Sequence, residues 1–378
     1  MNTESFIAGR LRFKGRLAVV AIAISFLVMI SAVSISGGFR REIRAAVSKI
    51  TGDVVLSGSE PISSTPSFLD EVEAVKGVRS IDPVIYRPGI VKYGDDIQGV
   101  IFKGIPGMDS TLHVSIPSRL AKALGLAVGD EMTSYFVSEK VKARKFKVDS
   151  VYESLVDTDE SMLVYAPIDD MRKVNGWEEG QVSALEIRLD PKFSSRKAVK
   201  FKSEEIGSIC IMSAGENDDT FIAQAATDKY SQLFDWLELI DFNVVAILVL
   251  MTIVAGFNMI SGLLILLFRN ISTIGTLKAL GMTDRSIAGV FMRVSARIVA
   301  IGMIVGNLTA LAFCLVQNAT HLLKLNPENY FVSFVPVSVN LPLILTADLI
   351  SFAVILILLL IPSFFISKVD PAVTVKTE

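Results

Sequence analysis

Four long stretches of this sequence are almost free of charge, and that limits what the chain can fold into. Residues 17–39, 242–268 and 298–320 contain no Asp, Glu, Lys or Arg, and residues 341–367 contain only Asp348. A helix needs about 20 apolar residues to cross the hydrocarbon of a bilayer, and an ordinary buried helix is shorter. Lipid offers the backbone no hydrogen-bond partners, so such runs are read as helices that satisfy their own N–H and C=O groups. The third run is interrupted by Asn307, Gln317 and Asn318. Hydrophobic residues make up 51% of the chain and charged ones 20%, an average over apolar runs and a polar remainder.

Basic residues in the short connections set the orientation. Arg10, Arg12, Lys14 and Arg16 precede the first run; Arg269, Lys278, Arg285, Arg293 and Arg297 lie between the second and third; Lys368 and Lys376 follow the fourth. The connection between runs three and four holds only Lys324. The N-terminus, the 269–297 loop and the C-terminus are therefore expected in the cytoplasm. Arg40, Arg41 and Arg44 point the other way, but they open a long segment, and long translocated segments largely escape the rule. The first run exceeds a signal-peptide core, and Arg40, Arg41 and Glu42 are not a cleavage site, so it reads as an uncleaved signal anchor. Residues 5–14 alternate Phe6, Ile7, Leu11 and Phe13 with Arg10, Arg12 and Lys14; wound as a helix they would lie in the membrane interface, and a frayed tail is the alternative.

Residues 40–241 read as mixed α and β. Short β-rich runs occur at 54–56, 100–102, 132–137, 146–151, 162–165 and 184–189, and helical ones at 118–124 and 167–173. Residues 125–130 form a turn leading into a strand. Residues 221–240 have a helical period that enters the second apolar run, and Ile43, Ala46, Val47 and Ile50 continue the first. Such helices either transmit displacement or merely hold the segment in place.

Reactive chemistry is sparse. Cys210 and Cys314 fall in different environments and are not expected to pair. His113 and His321 are far apart, without metal-ligand spacing. The acidic pairs Asp95-Asp96, Glu178-Glu179 and Asp218-Asp219 read as solvated loops. Asp348, alone inside a span, is a functional candidate, with an interfacial position as its alternative. The sequence has no G-x-x-x-x-G-K-[ST] phosphate cradle, and its net charge of −2 argues against nucleic acid as a partner. The chain is expected not to be an enzyme and to draw its energy from elsewhere.

The loop 269–297 is the most informative segment. Ile271, Ile274, Leu277 and Leu280 recur at helical spacing, Gly281 is placed as a stop, and Thr283 as the N-cap of the next helix. A short amphipathic helix on the cytoplasmic side needs a partner or the lipid surface to cover its stripe. The stretch Ile274-Gly275-Thr276-Leu277-Lys278-Ala279-Leu280-Gly281-Met282 resembles the coupling helix of permeases of the lipoprotein-releasing and macrolide-exporter type of ABC transporter, a family that also includes FtsX-like permeases. The resemblance covers nearly the whole chain: Gly37-Gly38-Phe39-Arg40-Arg41-Glu42-Ile43, Ala123-Leu124-Gly125 through Gly129-Asp130, Leu233-Phe234-Asp235-Trp236-Leu237-Glu238, Ala255 through Leu263, Asn326-Pro327-Glu328-Asn329-Tyr330, Pro336-Val337 and Asp370-Pro371-Ala372 fit in order. With no fused ATPase, the likeness is greater to the lipoprotein-releasing members.

The resemblance implies an integral membrane α-helical fold with four transmembrane helices and a large mixed α+β periplasmic domain inserted between helices one and two. The expected layout is a cytoplasmic amphipathic segment (1–16), helix one (17–39), the periplasmic domain with stalk helices (40–241), helix two (242–268), the coupling helix and loop (269–297), helix three (298–320), a periplasmic loop (321–340), helix four (341–367) and a cytoplasmic tail (368–378). It also implies a bacterial inner-membrane location. The implied partners are two copies of an ABC ATPase carrying ATP and Mg, a second permease chain (as homodimer or heterodimer), a lipoprotein substrate, a periplasmic lipoprotein carrier and membrane lipid. No cofactor or metal is expected on this chain.

Contact with the ATPase is expected at Ile271, Thr273, Ile274, Leu277, Lys278, Leu280, Gly281 and Met282. Val28, Ile35, Val254 and Met259 are expected to line an apolar lipoprotein cavity. Thr273 stands where the family usually has an acidic residue, and the turn near residues 137–142 is short compared with the carrier-docking hairpin of some members. Efflux of peptides or drugs through a periplasmic adaptor, and a non-transporting scaffold that activates a cell-wall hydrolase, remain alternatives.

Overall fold

The computed structural model describes residues 16–108, 110–137, 141–153, 162–193, 195–213, 215, 220–326, 330 and 332–363. The amphipathic reading of residues 5–14 lies outside them, as do Pro327, Glu328, Asn329, the pair Asp218-Asp219, the closing Asp370-Pro371-Ala372 and the tip of the 137–142 turn. The chain divides into two compact units, one within residues 1–40, 237–324 and 334–378, the other within 41–236 and 325–333.

Among the described residues four helices are long and apolar enough to cross a membrane. They are α1 (Arg16–Thr51), α7 (Ser231–Arg269), α9 (Asp284–Thr320) and α10 (Leu341–Leu358). Both α1 and α7 run unbroken past the ends of their uncharged stretches. Where the apolar run of α1 ends, Arg40 pairs with Asp241 of α7 at 2.5 Å and Ser36 Oγ donates to the same carboxylate at 2.6 Å. One acidic residue thus ties the first helix to the second just as the sequence turns polar.

Glycines let the helices approach closely. Between lipid-exposed helices there is little hydrophobic drive, so small residues that maximise contact favour association. Gly302 and Gly306 of α9 face Ile22, Ala23 and Phe26 of α1: a Cβ on Gly306 would lie 2.5 Å from the Ala23 carbonyl oxygen and 2.8 Å from the Phe26 Cβ. Gly38 has no room for a side chain against the Pro336 backbone, and Ser338 N–H donates to the Ser34 carbonyl at 2.9 Å beside it. The Gly37-Gly38 and Pro336-Val337 motifs therefore meet.

Among the described residues the second unit is built on nine strands: β1 (Val54–Ser63), β2 (Val78–Tyr93), β3 (Asp96–Ile105), β4 (His113–Pro117), β5 (Glu131–Phe136), β6 (Lys142–Tyr152), β7 (Leu163–Pro167), β8 (Gln181–Leu189) and β9 (Ile222–Ala225). Short helices α2 (Leu69–Glu73), α3 (Ser118–Leu124) and α4 (Ile168–Asn175), the longer α5 (Arg196–Met212) and the single turn α6 (Ala226–Lys229) complete it. β2 belongs to two sheets. Its first half pairs antiparallel with β8, which continues to β1 and β9. Its second half pairs with β3 and β5, and the pairings β3–β7, β7–β4, β4–β6 and β6–β5 close a six-stranded ring. Phe102, Phe136 and Phe146 fill that ring, with Phe102 and Phe136 at 4.9 Å edge to face.

The helical reading of residues 221–240 is corrected. Residues Ile222–Ala225 form strand β9, because β1 offers an open edge and pairs Val54 with Ala225 through Ser57 with Ile222. The helix proper starts at Ser231, after a break at Tyr230. The sequence reading also left β2, β4 and α5 unassigned.

A buried ionic cluster lies where β2 passes from one sheet to the other. Lys103 Nζ reaches the Glu186 carboxylate at 2.7 Å and donates to the Ile50 carbonyl, in the last turn of α1, at 2.7 Å. The Tyr86 hydroxyl donates to Glu186 Oε1, and Lys229, two residues before α7, stacks over the Tyr86 ring at 5.5 Å. Burial pulls the Lys103 ammonium below the usual lysine range, and the Glu186 charge opposes that shift. Burial, then the Glu186 charge, pushes the Tyr86 phenol up, so it stays a donor. A cation at the end of a helix also complements the helix dipole. Asp53 reinforces the junction, accepting from Arg44 at 3.2 Å and from the Leu189 N–H at 2.8 Å.

Two outcomes test this packing. Removing one partner of a buried pair strands the other charge, so Glu186→Leu is expected to cost about 3–5 kcal/mol in denaturant unfolding of the purified full chain, with Lys103→Met added in the same molecule recovering part of the loss. Gly306→Val is expected to lower the apparent melting temperature of the detergent-purified protein, whereas Gly262→Ala is tolerated, since its new methyl would meet the Ala18 Cβ at an ordinary 3.6 Å.

Candidate functional site: the helix connecting α7 and α9

The loop 269–297 folds as a short helix, α8 (Ile271–Ala279), between α7 and α9. Its ends are fixed by local chemistry. Asn270 Nδ2 donates to the Leu266 carbonyl at 2.7 Å, capping α7, and its backbone carbonyl accepts from Ile274 N–H at 2.9 Å, starting α8. At the other end Gly281 takes φ +89, a conformation open to glycine. Its N–H donates to the Lys278 carbonyl at 2.9 Å, and the Met282 N–H to the Leu277 carbonyl at 3.0 Å. This is the paired hydrogen-bond pattern of a Schellman stop. Thr283 Oγ1 then accepts from Ser286 N–H at 3.3 Å as the N-cap of α9. Lys278 pairs with Asp284 at 2.9 Å, joining the last turn of α8 to the first turn of α9. Each charge sits at the helix end its sign favours.

The apolar stripe read from the sequence is divided between two surroundings. Ile274 is 1% exposed and sits in one cluster with Leu263, Leu266 and Leu267 of α7, Ile287, Val290 and Phe291 of α9, and Ile22 and Phe26 of α1. Leu277 and Met282 pack partly buried against the same cluster. Gly275 is buried beside them. Leu280 is 79% exposed, Ile271 37% exposed, and Ser272, Thr273, Thr276 and Gly281 are exposed. The chain's own helices therefore cover half of the stripe. What remains outside is an uncharged face carrying Thr273, Thr276 and Leu280, with Ile271 and Gly281 exposed at the two ends of the helix. Sequence periodicity groups all four apolar residues together; it does not reveal that Ile274 and Leu277 are already covered.

The four expected cavity residues have different surroundings. Val28 and Ile35 of α1 are half-buried and Val254 of α7 is 39% exposed. Met259 has no exposed surface and packs in the cluster that holds Ile274, which makes it core rather than a lining residue in this arrangement. Both cysteines are free and buried, and burial pushes the Cys210 thiol up to about 11. Among the described residues no three His, Cys, Asp or Glu side chains gather as a metal site. Sequence reasoning missed the Asp241 tie between α1 and α7 and the Lys103–Glu186 cluster. The charges were visible, but nothing local marks which of many acidic residues would be partnered.

Residues 245–371 match the FtsX-like permease C-terminal family. The chain is similar to the lipoprotein-releasing system transmembrane protein LolC of Neisseria meningitidis serogroup B, at 22% identity over 98% of this chain and 95% of that protein. It is similar to LolC of Xylella fastidiosa at 20% identity over the same shares. Among solved structures, the periplasmic region of MacB from Actinobacillus actinomycetemcomitans aligns at 15% identity and a TM-score of 0.32, over 50% of this chain and 95% of that one. The extracellular domain of the ABC-type transporter YknZ from Gram-positive bacteria aligns at 12% identity and a TM-score of 0.27, over 45% of this chain and 98% of that one. The apolar helices, the FtsX-like match and the LolC likeness along nearly the whole sequence point the same way: the chain carries an FtsX-like permease C-terminal region over residues 245–371 and is similar throughout its length to LolC transmembrane proteins.

Proposed function

We propose that this permease works in the bacterial inner membrane, releasing outer-membrane lipoproteins to a periplasmic carrier. The observation that carries the reading is the likeness to LolC over 98% of this chain and 95% of the relative, which includes both the membrane part and the intervening unit. In this reading residues 40–241 face the periplasm and α8 faces the cytoplasm, in keeping with the basic residues of its loop. ATP and Mg bind a separate ATPase pair, and a second permease chain completes a two-fold assembly.

The exposed strip of α8 is where the ATPase would press. Ile274 and Leu277 would carry the push into the spans, because they share one packed cluster with α7 and α9. From there α7 would lead it without a helix break to Ser231, and the Asp241–Arg40 pair would engage α1. Thr273 and Leu280 offer no charge, so an apolar groove on the ATPase suits them better than a basic one.

Energetics restrict the route of the cargo. A buried acyl chain contributes about 0.8 kcal/mol per CH₂, so a chain of roughly 15 carbons costs on the order of 12 kcal/mol to bring into water. A multiply acylated anchor must therefore pass from one apolar surface to another. Val28, Ile35 and Val254 are the residues proposed to line that path.

Depletion of the protein followed by membrane fractionation tests the reading. Outer-membrane lipoproteins are expected to accumulate in the inner membrane. If they fractionate normally while drug sensitivity rises, or while cell separation fails, efflux or hydrolase activation replaces lipoprotein release.

A further inference from the structure

The fourth helix, α10, carries an acidic side chain inside an apolar bundle, and the two atoms left without donors around it point to what it binds. Asp348 is 5% exposed. Its Oδ2 accepts from Asn307 Nδ2 of α9 at 2.6 Å. Asp348 Oδ1 and the Asn307 side-chain carbonyl oxygen are both buried, and among the described residues neither has a hydrogen-bond partner. An ionised carboxylate can only accept hydrogen bonds, and so can the amide oxygen. Two unpaired acceptors in an apolar surrounding, one of them on a full charge, are costly.

Among the described residues no Lys, Arg or His pairs with that charge. The other three uncharged runs, 17–39, 242–268 and 298–320, have no lysine or arginine to pair with it. Cys314, further along α9, is the titratable group nearest in sequence to Asn307 on that helix and is itself uncharged as a thiol. A single proton on Asp348 Oδ1 removes the charge and turns that atom into a donor, and an unpaired acceptor belongs to the same partner side chain.

We propose that Asp348 is a proton-binding site: it stands as a carboxylic acid whose Oδ1–H donates to the Asn307 carbonyl while Asn307 Nδ2 donates to Asp348 Oδ2. The acid and the amide then form a reciprocal pair between α9 and α10. One turn along α10, Ser351 Oγ and Thr252 Oγ1 of α7 lie 3.1 Å apart. The fourth helix is thereby held to the third by a neutral acid–amide pair and to the second by a hydroxyl pair. Polar pairs between membrane helices add to their association, and the first of these holds only while the proton is bound.

The experiment compares the protein in lipid nanodiscs at neutral pH with Asp348→Asn, Asp348→Ala and Asn307→Leu, by infrared spectroscopy and thermal unfolding. The wild type is expected to show a protonated-carboxyl C=O stretch that Asp348→Asn removes. Asp348→Asn should keep the wild-type melting temperature, since an amide supplies the same donor and acceptor, and Asn307→Leu should lower it. The proposal is overturned if only carboxylate bands are assigned to Asp348, or if Asp348→Asn melts as early as Asp348→Ala. Sodium or potassium raising the melting temperature of the wild type but not of Asp348→Asn, with no acid band, would put a metal cation in the proton's place and overturn it equally.

Discussion

The seating of α8 against the span bundle is the contact on which the proposed coupling depends. Three side chains, Ile274, Leu277 and Met282, enter the same packed cluster as α7, α9 and α1. Packed interiors are dense and transmit strain rather than absorb it. Under the proposed coupling a force on the outer face of α8 would reach the spans through side chains already in contact, and the Lys278–Asp284 pair joins the end of the short helix to the start of α9. A nine-residue helix would be marginal in isolation. Its stability comes from the surface it is seated on, so its position reports the position of the bundle.

Beyond the bundle, continuity of the main chain takes over from packing. α1 and α7 both extend past their apolar runs without a break, and Asp241 ties them together at the point of exit. Within the α/β unit, the end of α1 is held by Lys103, and Lys103 is held by Glu186 on the strand next to β2. Since β2 serves both the six-stranded ring and the outer sheet, the last turn of α1 is bonded to the strand junction shared by both. Buried ion pairs are weak evidence for stability; here Lys103 bonds the Ile50 carbonyl and the Glu186 carboxylate at once, which fixes the last turn of α1 to the strand junction.

The sequence revealed much of this and hid a definable part. The four apolar runs, the Gly281 stop and the Thr283 cap were legible because each depends on local chemistry: hydropathy over a window, a positive φ, a side-chain oxygen placed before a helix. Most short strands were legible from β-branched runs. β2 was not, because Pro83, Pro88 and Gly89 break its pattern, and only its neighbours β3, β5 and β8 supply the pairing that makes it a strand of 16 residues. Residues 222–225 read as helix because their apolar spacing fits a helical period, and the open edge of β1 overrode it. The candidate site was legible as a helix of the right length in the right loop, but its apolar residues could not be sorted into covered and open from spacing alone. Asp348 was visible as an oddity, whereas its partner Asn307 lies on another helix, and only the packing of α9 on α10 brings the two together.

The account stands on the outer strip of α8 being the surface pressed by a separate ATPase. Photo-crosslinking in intact cells, with the reactive group placed in turn at Leu280, Thr273 and Ile274 and the product identified by mass spectrometry, measures this directly. Leu280 and Thr273 should each capture one and the same phosphate-loop ATPase, and Ile274 should capture none. Capture of that ATPase from Ile274 and not from Leu280, its absence from all three positions, or reaction of Leu280 with a membrane-impermeant reagent applied outside the inner membrane would contradict the account.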